Sequence, residues 1–154
     1  MTDAQVKQSI SLAYEYCYRH DDWVEPAETA LAGLSAQNAL RRPGAESKCI
    51  WEIVLHVAVW NENILERTKT GEKARPAEGA WPRLPEKTDE ETWEVAKARL
   101  RQSLQSIEDL MRSSSLDDLN GGPYGLGDLL CRFFHIAYHL GQIVKMRELM
   151  DGTG

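Results

Sequence analysis

Apolar residues recur at helical spacing in four stretches of the chain. In residues 3–19, Val6, Ile10, Ala13, Tyr14 and Cys17 share one face, and Thr2 or Asp3 can cap the helix they predict. His20-Asp21-Asp22 breaks that pattern, and Pro26 suits the first position of a helical continuation through Leu34. A polar connection follows from Ser35 to Glu46, with an Arg41-Arg42-Pro43-Gly44 turn. A second helix is expected over 48–69, capped by Ser47, ended by Gly71, and striped by Ile50, Ile53, Val54, Val57, Trp60, Ile64 and Leu65. Residues 71–88 hold three of the six prolines and keep no period. The third helix, Asp89 to Arg112, has Thr88 or Asp89 as cap and Trp93, Ala96, Leu100, Leu104, Ile107 and Met111 inward. Ser113 to Gly127, containing Gly121-Gly122-Pro123, reads as a loop, and Asp128 to Met150 as the fourth and most apolar helix.

Four helices of similar length with no β-alternation and no internal repeat predict an all-α, four-helix bundle, one domain over residues 1–154. About 18 residues between helices two and three can return along a helix of ~30 Å, so those two helices can run parallel. The expected order is then up-down-down-up, with a long crossover.

Composition narrows the function classes. A formal charge of -6 and a single Arg-Arg doublet argue against phosphate-rich partners, so no nucleic acid is expected. Apolar runs fall short of the ~20 residues of a membrane span, and Asp3, Gln5, Lys7 and Gln8 interrupt any leader-like pattern. Cys17, Cys49 and Cys131, an odd number without Cys-x-x-Cys spacing, suit a reducing, cytoplasmic setting.

The candidate chemistry lies in three of the four histidines. His56 stands within Leu55-His56-Val57, and His135 and His139 flank Ile136-Ala137-Tyr138 in the fourth helix. Positions i and i+4 share a face, so His135 and His139 can aim at one point, and His56 can supply a third corner from a facing helix. Burying an unpartnered imidazole costs ~1–3 kcal/mol, which one shared divalent ion would relieve three times over. The alternative is three separately satisfied core histidines. His20, in a polar turn, is excluded. Three neutral nitrogens leave coordination positions open, the pattern of a catalytic rather than a structural metal. Because ligand histidines must be neutral, metal binding is expected to weaken as pH falls through ~6.5.

Ser47 to Trp60 around His56, together with His135-Ile136-Ala137-Tyr138-His139-Leu140-Gly141-Gln142-Ile143, resembles the DinB/YfiT-like family of metal-dependent enzymes. Trp23-Val24-Glu25-Pro26 and Ala30 to Leu34 are similar to the family's first helix and turn, and the likeness spans about residues 23–150. The resemblance implies a four-helix bundle, homodimers, and a metal on His56, His135 and His139. Nickel or zinc is the implied ion, with manganese or iron as further options. It also implies transfer of a small-molecule thiol of the bacillithiol, mycothiol or glutathione type to an electrophile, with metal-dependent hydrolysis as the alternative. A non-enzymatic metal- or ligand-binding stress-response module is the reading from outside enzymology.

Further residues fall near the expected site. Glu52, one turn before His56, and Asp128, seven residues before His135, could orient a ligand or act as base, or could be plain helix-end acids. Tyr138 and Gln142 flank the histidine pair as candidate hydrogen-bonding groups, and Trp60 can wall the pocket. Cys49 and Cys131 sit one or two turns before ligand histidines, where core packing is the commoner role. Gly141 suggests close approach of a neighbouring helix. Ile136 occupies the place where an H-E-x-x-H protease carries its base, which argues against that mechanism.

Overall fold

The computed structural model describes residues 2–121 and 125–151, and the only regular elements among them are seven α-helices. These are α1 (Asp3–Tyr18), α2 (Ala27–Leu31), α3 (Ala36–Ala39), α4 (Ile50–Thr70), α5 (Glu90–Ser113), α6 (Leu116–Gly121) and α7 (Gly125–Asp151). The four long ones are those the apolar stripes predict. Three caps form as expected. Thr2 and Gln5 exchange side-chain and backbone bonds at 3.3 and 2.8 Å, and Asp89 accepts the Thr92 N–H at 3.0 Å. Gly71 closes α4 in the left-handed region, φ 74°.

Other boundaries differ from the sequence expectation, each for a local reason. The cap of α4 is Cys49 rather than Ser47, because the Glu52 carboxylate reaches back to accept the Cys49 N–H at 3.0 Å. Ser47 is instead held in a turn, its N–H on the Gly44 carbonyl at 3.0 Å. Pro26 precedes α2 instead of opening it. The supposed polar connection contains α3, for which Ser35 accepts the Asn38 N–H at 3.2 Å. The supposed loop before helix four contains α6, where Ser115 and Asp118 cap one another. Of the turn expected at Gly121-Gly122-Pro123, Gly122 and Pro123 lie outside the described residues.

Side-chain pairs give the helix directions. Lys7 reaches the Arg112 carbonyl, Tyr14 donates to the Leu104 carbonyl, and Arg19 bonds Gln105, so α1 and α5 are antiparallel. Trp51 meets Trp93 and Asn61 donates to Ser103, so α4 and α5 run the same way. Trp60 lies by Arg132 while His56 lies by His135 and His139, which makes α4 and α7 antiparallel. One apolar cluster joins all four, with Trp51, Trp93, Tyr14, Ile107 and Ile136 fully buried.

The crossover from α4 to α5 is tied down along its length. Arg67 and Asn63 both donate to the Ala74 carbonyl, and Arg99 of α5 bridges Glu62 and Glu78. A turn closed by the Gly79 N–H on the Pro76 carbonyl, with Gly79 at φ 80°, then delivers Ala80 and Trp81 onto α4. Gly141 does not serve helix approach: it is exposed, with open space where a Cβ would stand. No described helix is long and apolar enough to cross a membrane.

Candidate metal centre

The antiparallel packing of α4 on α7 brings the three expected histidines together. One ligand atom from each of His56, His135 and His139 lies within 4.8 Å of the others. His56 and His139 are buried and His135 is half-buried. Their rings pack at centroid distances of 4.9, 4.7 and 4.5 Å.

Neighbours set which nitrogen of each ring faces inward. His56 Nδ1 lies 2.6 Å from the Ala80 carbonyl, which can only accept, so Nδ1 carries the proton and Nε2 the lone pair. His139 Nδ1 donates to Gln142 Oε1 at 2.7 Å, while the Gln142 amide donates to the Tyr138 hydroxyl at 2.9 Å. With the amide so oriented, His139 Nε2 is unprotonated as well. Trp81 stacks on His56 at 3.8 Å and 17°, fixing the ring plane.

These donors fit a divalent ion. His56 Nε2 and His135 Nε2 are 2.9 Å apart. Two nitrogens about 2.0–2.1 Å from one ion stand roughly 2.9–3.4 Å apart for angles between octahedral and tetrahedral. Without a cation, His135 Nε2 can instead donate to the His56 lone pair, while its Nδ1 is buried without a partner.

The imidazoles are held neutral. Burial pushes His135 down to about 3, reinforced by Arg132 and the other two histidines. Burial pushes His139 down to about 4, against the bond to Gln142, and lowers His56 as well. The sequence expectation that ligand protonation sets in near ~6.5 therefore moves lower in the folded chain, to about 3 for His135 and about 4 for His139.

The other candidates separate cleanly. Glu52 is engaged by the Cys49 N–H, Arg42 at 2.6 Å and Lys48 at 3.2 Å, and its carboxyl is held down at about 2 against the cost of burial. Those bonds make it a helix-end acid, outside the histidine cluster. Asp128 lies in the first turn of α7. Cys49 is buried and Cys131 exposed, and neither joins the cluster. His20 pairs with Glu15 at 3.3 Å, away from the site. Trp60 presents its edge to His56 at 6.5 Å. Ile136 is fully buried in the core.

Trp81, the Ala80 carbonyl and Arg132 are not among the candidates that the sequence offers. A Gly79-Ala80-Trp81-Pro82 segment inside an aperiodic, proline-rich stretch is the one sign that a large aromatic is needed there.

A cavity of about 490 Å³ opens beside His139, lined among others by Lys48, Ile53, Trp81, Tyr138, Gln142 and Met146. That size suits a small ligand. A slightly larger cavity, about 540 Å³, lies between α1, α2 and α5, and no histidine lines it.

The family model described as the DinB superfamily matches residues 25–143, a span holding all three histidines and the crossover. No curated protein and no solved structure matches the chain.

Proposed function

Because the chain belongs to the DinB superfamily, we propose that it is a metal-dependent transferase moving a small-molecule thiol onto an electrophile, with His56, His135 and His139 as metal ligands. The observation that carries this reading is the convergence of three neutral imidazoles, two with their Nδ1 protons committed elsewhere. The ion would be nickel or zinc, with manganese or iron as further options. When bound, it would act as a Lewis acid that favours the anionic form of a thiol or of water at neutral pH.

The chain's own residues supply the rest. Ala80 and Trp81 hold His56, and Gln142 holds His139, so the ligand set costs little reorganisation. Tyr138 accepts from Gln142, which leaves its hydroxyl proton free to point into the cavity toward a leaving group. Among the described residues no carboxylate belongs to the histidine cluster, and the thiol proton passes to solvent. As the S–C bond forms, the leaving group departs with its electron pair. The family supplies the thiol half of this reading, and hydrolysis by an activated water is the second.

The test is a conjugation assay with bacillithiol, mycothiol and glutathione on nickel-, zinc- and manganese-loaded protein. Transfer above the no-enzyme rate is expected, lost in His135→Ala even at saturating thiol. Ester or amide hydrolysis without transfer would make the chain a hydrolase. Tight metal binding with neither activity would make it a metal-sensing stress-response module.

Two further parts of the proposal concern setting and assembly. A cytoplasmic location is supported by three cysteines that are all unpaired. A homodimer is supported by Phe134, Tyr138 and Leu149, large apolar side chains exposed along one side of α7. Sedimentation equilibrium is expected to give twice the chain mass, reduced to one by Phe134→Glu. A monomeric parent protein would end the dimer proposal.

A further inference from the structure

Arg132 stands one turn before His135 on α7, at the opposite end of the histidine row from the His139 cavity. Its guanidinium lies 5.2 Å over the Trp60 ring, whose edge faces His56. Nη1 of Arg132 is buried and has no hydrogen-bond partner. Asp128, the preceding acid on the same helix, attracts it without forming an ion pair among the described residues.

Such a group is unusual in charge as well as in bonding. The chain carries a net charge of -6, yet the charged side chains that bear on the three imidazoles are Arg132 and Lys48, both cationic. Lys48 is matched by Glu52. Arg132 is not matched. A buried cationic N–H without an acceptor is costly, and a planar guanidinium braced on an indole is suited to a planar oxyanion. Trp60 and Arg132 are both partly exposed, so part of the pair lies at the surface.

We infer that Arg132, braced on Trp60, is a recognition group for a carboxylate on the substrate that reacts at the three-histidine centre. This rests on the proposed role of that centre, and it narrows the substrate class to small organic acids. The carboxylate can belong to the thiol or to the electrophile, and matched probes separate the two. Zinc-loaded full-length protein is titrated calorimetrically with 3-mercaptopropionate against 2-mercaptoethanol, and with acrylate against acrylamide.

The parent protein is expected to prefer the carboxylate in at least one pair by about tenfold or more, the scale of a charge-assisted bond. The pair that shows the preference identifies which reactant carries the acid. Arg132→Met should abolish the preference with metal content unchanged, and Arg132→Gln serves if the methionine variant does not fold. Lys145→Met, on the far side of His139, should retain it. Equal affinities within both pairs for the parent protein would overturn the inference. So would a preference that survives Arg132→Met or disappears in Lys145→Met. Protein that holds no metal but still shows an Arg132-dependent preference would sink the metal reading and leave the anion subsite standing.

Discussion

Replacing His139 with alanine is expected to weaken zinc or nickel binding by more than about 100-fold, beyond the 10–100-fold typical of losing an outer hydrogen-bond partner. The residue is buried, its Nδ1 is committed to Gln142, and its remaining nitrogen faces His56 and His135. Gln142→Leu removes only that orienting acceptor, so it should fall within the roughly 10–100-fold range and keep one ion per chain. Equal losses in the two variants would mean that His139 is not a ligand.

The pH profile adds a second readout with a definite sign. Free histidines in the unfolded chain titrate near ~6.5, whereas His135 and His139 in the folded chain stay neutral until about 3 and about 4. Between those limits the unfolded chain binds more protons than the folded one, so stability is complete above ~6.5 and declines as pH falls toward about 4. Metal affinity of the folded chain, by contrast, should stay level through ~6.5, because all three ligands are lowered from that value, and His135 and His139 stay deprotonated to about 3 and about 4. Competition titrations at successive pH values, set beside melting curves of metal-free protein, check both halves. A fall in affinity between neutral pH and about pH 6 would show that the imidazoles titrate normally. His139→Ala should also shallow the acid slope of the melting curves, since one depressed group is removed.

Trp93→Ala is expected to destabilise the fold by about 3–5 kcal/mol, a large part of the ~5–15 kcal/mol that holds a domain of this size together. Trp93 is fully buried, packs on Trp51 at 5.1 Å and 50°, and donates its indole N–H to the Leu34 carbonyl at 2.7 Å. It thus joins α5 both to α4 and to the segment after α2. Trp93→Phe keeps most of the apolar contact but strands the Leu34 carbonyl, for an expected loss of about 1–3 kcal/mol. Urea midpoints at unchanged slope measure both values. A loss under about 1 kcal/mol for the alanine variant would mean that the tryptophan pair does not carry this contact.

Local chemistry makes much of this chain legible from its residues in order. The apolar stripes mark α1, α4, α5 and α7, and Thr2, Asp89 and Gly71 act as caps because a cap depends on residues within one turn of itself. The pairing of His135 with His139 is readable for the same reason, since helical pitch alone sets i and i+4 on one face. Where two local candidates compete, sequence order misleads. Ser47 loses the α4 cap to Cys49 because Glu52, three residues beyond Cys49, accepts the Cys49 N–H, while the Ser47 N–H is spent on Gly44.

What tertiary structure decided was everything that depends on residues distant in the chain. His56 joins the pair only through the antiparallel seat of α4 on α7. Ala80 and Trp81 reach His56 from a proline-rich crossover, whose aperiodic sequence carries no signal of where its backbone will lie. The depressed histidine pKa values also belong to the folded state alone, since the burial that causes most of the shift arises only when α4 and α7 close on each other. Spacing along the chain determined which histidines could act together, and helix packing determined their protonation state, their partners and the side from which a ligand can approach.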